Sequence, residues 1–179
     1  MIYLITIEKY IKNTISALTP RTRDMHKVDF YFLYNSLQEL GFNLITKTRG
    51  KDLPSAGSVP LGTQDYHFMD FSWYPHDSME LIHISDLVIN FSSTAIKECI
   101  MLKKPLINFH IKPFEKPLKF LYEYDYCENF GQKVDKEELQ DAIIRLTCKP
   151  LEDEFDKSIK NHLFTGNSSK RILDFLEQQ

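Results

Sequence analysis

Two short, mostly apolar runs, Leu87-Val-Ile-Asn-Phe91 and Leu106-Ile-Asn-Phe109, stand on either side of a segment with a different rhythm. Runs of this length without strict alternation suit strands buried on both faces of a parallel sheet. Between them Ala95, Ile96, Cys99 and Ile100 recur at helical spacing. Ser92, Ser93 and Thr94 precede that stripe and are residue types that cap a helix N-terminus. Lys103-Lys104-Pro105 closes it, since cations suit a helix C-terminus and proline stops continuation. Strand, hydroxyl-rich turn, helix and strand make a βαβ unit.

The remaining pattern extends this theme. Ile2 to Ile7 reads as a strand, and Lys9 to Asp24, polar and interrupted by Pro20, as a short helix followed by a loop. Val28, Phe32, Leu33, Leu37 and Leu40 predict a helix over Met25 to Leu40 that ends at Gly41, with a strand over Phe42 to Thr46. Lys51 to Gln64 is a loop, and Phe68 to Trp73 a short strand. Asp77 with Glu80 forms a capping box for a helix over Ser78 to Ile84, with Met79, Leu81, Ile82 and Ile84 on its buried side. Phe120 to Phe130 is rich in aromatics, and Tyr122, Tyr124 and Tyr126, spaced by two, fit one face of a strand. Asp135 with Glu138 opens a helix reaching about Thr147, with Leu139, Ile143, Ile144 and Leu146 as core residues. A polar helix is expected near Glu152 to His162, and a closing helix at about 168–177. There are no internal repeats. Alternating helices and short strands imply an α/β fold: one Rossmann-like domain over residues 1–179, a mainly parallel sheet with helices on both faces.

Composition narrows the function classes. A chain of 179 residues with 42% hydrophobic content is long enough for one domain with a proper core. A net charge of -3 provides no broad attraction to nucleic acid or an anionic membrane. Cys99, Cys127 and Cys148 are odd in number and widely spaced, which suggests a reducing compartment and no zinc site. No stretch approaches the roughly 20 apolar residues of a membrane span, and Met1 to Ile7 is too short for a secretory signal. A cytoplasmic protein is expected. The histidines lack metal-ligand spacing, and neither a Gly-x-Ser-x-Gly elbow nor a Walker-type glycine loop occurs. No metal and no cofactor are expected.

The chemistry concentrates at the turn after Phe91. The first amides of a helix lack internal partners and carry partial positive charge, so they hold phosphate well. Hydroxyls of Ser92, Ser93 and Thr94 would add donors to the same oxygens. Glu98, four residues after Thr94, lies one helical turn deeper, where a carboxylate accepts hydrogen bonds from a ribose diol. The bland alternative is a capped helix with a solvated glutamate. His110, Lys112 and Glu115, with Lys116, follow the second strand, on the edge where ligands of open α/β sheets gather. Each is a candidate donor contact, or part of a charged surface loop.

The segment Ile84 to Glu98, with Leu102-Lys-Lys-Pro-Leu-Ile107, resembles the donor-site segment of GT-B nucleotide-sugar enzymes. It is similar to the UDP-N-acetylglucosamine 2-epimerase group and to the CDP-glycerol glycerophosphotransferases, with related capsule-polysaccharide transferases. In the epimerase pattern a serine and two small residues hold the diphosphate, and a glutamate six positions after the serine holds the ribose. Ser92, Ser93, Thr94 and Glu98 match those roles. Asn90-Phe91 departs from the pattern, where those families show an aspartate followed by serine or tyrosine. Leu81-Ile82 with Ser85-Asp86, the basic Lys47, Arg49 and Lys51, and Gly166-Asn-Ser-Ser-Lys-Arg-Ile172 also resemble GT-B segments.

The resemblance implies a substrate rather than a cofactor, a UDP- or CDP-linked sugar or polyol. It also implies a partner. GT-B enzymes work between two Rossmann-like domains, and this chain has room for the donor-binding, C-terminal one; an acceptor-binding domain or subunit would need about 150 further residues. Membrane association is expected only peripherally, through that partner. The activity implied is transfer in surface-polysaccharide or teichoic-acid-like synthesis, with a missing domain or subunit needed for turnover. The alternatives are a UDP-N-acetylglucosamine 2-epimerase-like fragment and a non-catalytic partner-binding scaffold.

Overall fold

Six parallel strands in the order β3-β2-β1-β4-β5-β6 form one sheet. They are β1 (Thr14–Leu18), β2 (Asn43–Arg49), β3 (Tyr66–Asp70), β4 (Leu87–Phe91), β5 (Leu106–Phe109) and β6 (Cys127–Phe130). The helices are α1 (Phe30–Glu39), α2 (Asp77–Ile84), α3 (Ile96–Met101) and α4 (Lys136–Cys148). The computed structural model describes residues 13–18, 29–49, 62, 64–70, 77–91, 95–110, 126–131, 133–148, 170, 174 and 177. The expected strand over residues 2–7 and helix over 152–162 lie outside them; of the closing helix, Lys170, Asp174 and Glu177 are described and helical.

Side-chain alternation along the strands sorts the core into two layers. On one face Ile15, Ala17, Leu44, Leu87, Ile89, Phe91, Ile107, Phe109 and Phe130 pack with Phe30, Leu33 and Leu37 of α1 and Leu139, Ala142, Ile143 and Leu146 of α4. On the other, Val88 and Leu106 pack with Ile82 of α2 and Ile96, Cys99 and Ile100 of α3. Helices therefore cover both faces, as the sequence pattern implies.

The main correction concerns the centre of the sheet. Thr14–Leu18, expected within a helix and loop, is β1, bonded to β2 on one side and β4 on the other. Its polar residues conceal it, because they are buried yet partly satisfied. Ser16 Oγ lies 2.5 Å from Ser85 Oγ, which in turn lies 2.6 Å from the Leu81 carbonyl oxygen. Ser16 Oγ also lies 3.4 Å from the Leu81 carbonyl oxygen, so the two hydroxyls and that carbonyl form one group that ties α2 to β1.

Other boundaries shift for local reasons. Asp29 caps α1, its carboxylate accepting from the Phe32 N–H at 2.9 Å, so the helix begins at Phe30; residues 25–28 lie outside the described ones. Phe32 and Leu40 are half-buried rather than core. The end at Gly41 is as expected: Gly41 N–H reaches the Gln38 carbonyl and Phe42 N–H the Leu37 carbonyl, with Gly41 at φ 78. This is a Schellman cap. β2 runs on to Arg49, which places Lys47 and Arg49 within the strand, and β3 starts two residues before the expected Phe68. Met79 and Ile144, expected in the core, are 38% and 47% exposed, and Ala142 takes the buried position on α4. Asp135 does cap α4, accepting from the Glu138 N–H at 2.8 Å. Of the aromatic run, Tyr122 and Tyr124 lie outside the described residues; Tyr126 sits in a turn ahead of β6 and packs with the α2–α3 layer, whereas Phe130 packs with the α1–α4 layer.

Candidate functional site

The strand order reverses between β1 and β4, and in open α/β sheets ligands gather outside the carboxyl ends of the strands at that switch point. β4 is buried along its whole length and delivers the chain to that edge at Phe91. Ser92, Ser93 and Thr94 follow, and they lie outside the described residues. α3 begins at Ile96, not near Ser93, and Ala95 before it has helical angles and no side-chain cap. Hydroxyl capping at the residue directly ahead of α3 is therefore absent. The helix is held at its other end, where the Lys103 N–H reaches the Ile100 carbonyl and the Lys104 N–H the Cys99 carbonyl. Lys103 adopts φ 54 there, a position usually given to glycine.

Glu98 occupies the first turn of α3 and is half-buried. Its Oε2 is buried and has no hydrogen-bond partner. Thr14 Oγ1 and Thr46 Oγ1 share that condition among the described residues, but both are neutral hydroxyls. A buried carboxylate oxygen without a donor is the costlier group, and the one that a ligand donor would relieve most. The Glu98 charge also reaches the neighbouring thiol: burial first, then Glu98, push the Cys99 pKa far up, so Cys99 is neutral.

His110 is the first residue after β5 and is half-buried, its N–H donating to the Phe130 carbonyl at 2.8 Å. Its Nε2 lies 3.2 Å from Asn129 Oδ1 and 3.4 Å from Asn108 Nδ2. These asparagines belong to a ladder that sequence reasoning missed. Asn90 Nδ2 donates to Asn108 Oδ1 at 2.7 Å, and Asn108 Nδ2 to Asn129 Oδ1 at 3.2 Å. The register pairs Asn90 with Asn108 and Asn108 with Asn129, so the amides cross three neighbouring strands at one level. On the opposite face the next residues form a matching row, Phe91 stacked on Phe109 with ring centres 5.3 Å apart and Phe109 tilted against Phe130 at 5.7 Å. The visible signal was the dipeptide Asn-Phe, found at Asn90, Asn108 and Asn129, each time at the end of a strand. A strand's alternation sends its asparagine to one face and its phenylalanine to the other.

Lys112, Glu115 and Lys116 lie outside the described residues, so Glu98 and His110 are the expected site side chains that the structure describes. Ser85 and Asp86, part of the resemblance, serve the sheet instead, Ser85 through Ser16 and Asp86 through the Thr14 backbone. Lys47 is buried within β2. Among the described residues no group of three or more His, Cys, Asp or Glu is arranged to hold a metal ion. No described helix is long and apolar enough to cross a membrane.

No family model and no curated protein matches the sequence. Solved structures do match in fold. UDP-GlcNAc 2-epimerase from Methanocaldococcus jannaschii, in complex with UDP-GlcNAc and UDP, is similar at TM-score 0.64 and 14% identity, over 99% of this chain and 49% of its own. The kitacinnamycin glycotransferase follows at TM-score 0.63 and 14% identity, over 94% of this chain and 43% of its own. This chain has the fold of one half of a GT-B protein. The wall teichoic acid polymerase TagF is similar at TM-score 0.52 and 18% identity, over 99% of this chain and 45% of its own. This chain thus spans less than half the length of each of these three proteins.

Proposed function

We propose that this chain is the donor-binding, C-terminal half of a GT-B-type transferase, taking a UDP- or CDP-linked sugar or polyol in surface-polysaccharide synthesis. Glu98 carries the reading. Its Oε2 is buried and without a partner, in the first turn of the helix that follows β4 at the switch point. A ribose diol supplies two hydroxyl donors of the kind that oxygen lacks. Ser92, Ser93 and Thr94, between β4 and α3, bind the donor phosphates, and neutralise charge growing on the leaving nucleotide. His110, Lys112 and Glu115 contact the rest of the donor from the adjacent strand end. Turnover requires an acceptor-binding domain or subunit on the other side of the cleft, in keeping with coverage of 43% to 49% of the solved proteins.

A second reading, an epimerase-like fragment, is favoured by the likeness to UDP-GlcNAc 2-epimerase over 99% of this chain. It uses the same donor site without transferring the sugar. Calorimetric titration with UDP, CDP, CMP and GDP tests the shared site: one nucleotide binds selectively, and Ser93→Ala/Glu98→Ala removes the binding. Absence of binding by a folded chain counts against both and favours a partner-binding scaffold. Product analysis with the complementing domain separates transfer from epimerisation.

A further inference from the structure

We propose that the asparagine ladder fixes the tautomer of His110, with Asn129 as the positioning residue, so that Nδ1 is offered as a hydrogen-bond acceptor to an O–H or N–H group of the activated donor. The inference rests on the donor-site reading above and names what His110 does within that site.

The ladder has a direction. Asn90 Nδ2 donates to Asn108 Oδ1, Asn108 Nδ2 donates to Asn129 Oδ1, and Asn129 Nδ2 donates to Cys127 Sγ at 3.7 Å. The Cys127 thiol ends the chain on the Glu128 carbonyl at 3.8 Å. Each amide's orientation is set by the one before it, so Asn129 presents its oxygen toward β5. His110 Nε2, 3.2 Å from that oxygen, must carry a proton to bond it. The Asn108 Nδ2 contact at 3.4 Å is the longer one, and that amine already has Asn129 Oδ1 as its acceptor. With the proton on Nε2, a neutral ring has its lone pair on Nδ1, which makes no hydrogen bond among the described residues.

Placement does the rest. Phe109 pairs in register with Phe91, so His110 leaves β5 at the level where the chain leaves β4 for Ser92. Adjacent strands are about 4.8 Å apart, so His110 follows β5 one strand away from the end of β4 on the carboxyl edge of the sheet. A lone pair cannot bond a fully ionised phosphodiester, which has no proton to give. The matching ligand groups are a sugar or polyol hydroxyl, a ribose hydroxyl, or an N–H of the base.

The test is proton–nitrogen correlation spectroscopy of the histidine rings in the full chain, with His110 assigned by its loss in His110→Gln. The Nε2–H form is expected in the wild type. Asn129→Asp, which keeps an accepting oxygen, retains it; Asn129→Ala releases the ring to a mixture of tautomers. β6 is an edge strand and Asn129 is half-buried, so the two variants are expected to fold. UDP-N-acetylglucosamine and CDP-glycerol serve as probes, with UDP and CMP beside them. Saturation with a bound probe moves the Nδ1 resonance upfield, and its affinity falls about tenfold in Asn129→Ala, as for one lost hydrogen bond, but less than twofold in Asn129→Asp. An Nδ1–H tautomer in the wild type, an unchanged ring in Asn129→Ala, or a bound probe that leaves Nδ1 unmoved overturns the proposal while leaving the donor site standing. Failure of all four probes to bind overturns the donor-site reading, and the ligand role of His110 with it.

Discussion

Asp86 and Thr14 close the sheet between its two central strands. The Asp86 carboxylate accepts from the Thr14 N–H at 2.7 Å, and the Asp86 N–H returns to the Thr14 carbonyl at 2.8 Å. Asp65 repeats the arrangement one strand pair over, its carboxylate accepting from the Leu44 N–H at 2.7 Å and its N–H donating to the Leu44 carbonyl at 2.9 Å. In each case an aspartate just ahead of a strand satisfies an amide at the start of the neighbouring strand, the first residue of β1 and the second of β2.

Removing one of these acceptors leaves a strand-end amide without its partner, which costs about 1–3 kcal/mol. Asp86→Ala and Asp65→Ala are each expected to lower unfolding free energy by that amount in urea titration. Asp86→Asn, which keeps an accepting oxygen, is expected to lose less than half as much. Equal losses for the two Asp86 variants would show that the amide bond is not what matters.

The asparagine ladder gives a second stability prediction. Asn108 is 3% exposed and stands between two partners, so Asn108→Leu strips Asn90 Nδ2 of its acceptor and Asn129 Oδ1 of a donor. A loss of about 1–3 kcal/mol is expected, since Asn129 Oδ1 keeps His110 Nε2 as a partner. Asn129→Ala, at the edge strand, should cost less than half of that by the same measurement.

Thiol chemistry supplies a third. Burial, reinforced by Glu128, pushes Cys127 up to about 12, and Cys99 is buried and raised further, whereas Cys148 is exposed. A thiol reagent at neutral pH is expected to label Cys148 alone in the folded chain and all three cysteines in denaturant. The sign for pH follows from a raised folded pKa: the contribution is fully present below the ordinary thiol value of 9.0 and is lost as pH rises from there toward about 12. Denaturation midpoints should therefore fall above pH 9, and less steeply in Cys127→Ala.

A smaller effect is expected at the end of α1. Gly41 has φ 78 with nothing within 4 Å of an added Cβ, so Gly41→Ala meets conformational strain and no clash. The left-handed conformation costs a non-glycine residue about 1–2 kcal/mol, and thermal melting should register that and no more.

How far the sequence speaks for itself varies along the chain. β4 and β5 were legible because strands buried on both faces are nearly continuous apolar runs, and Leu87–Phe91 and Leu106–Phe109 match residue for residue. The caps at Asp135 and Gly41 were legible because their chemistry is local. β1 was not, since Thr14 and Ser16 look like loop residues until Ser85 and Asp86, far along the chain, bond the Ser16 hydroxyl and the Thr14 backbone. Met79 and Ile144 fit the helical stripes yet face outward, because periodicity does not say where the packed neighbours end. Helical spacing was enough to put Glu98 on α3, but the Asn-Phe ladder needed the register of three strands to become one object.

The central claim is that Glu98 completes a nucleotide site by accepting from a ribose diol. Its most direct test is calorimetric binding of the preferred ribonucleotide diphosphate against its 2′-deoxy counterpart, in the wild type and in Glu98→Ala. The wild type is expected to prefer the ribonucleotide about tenfold, the worth of a hydrogen bond to a charged group, and Glu98→Ala to bind the two equally. The same preference retained in Glu98→Ala would remove Glu98 from the ribose and contradict the account.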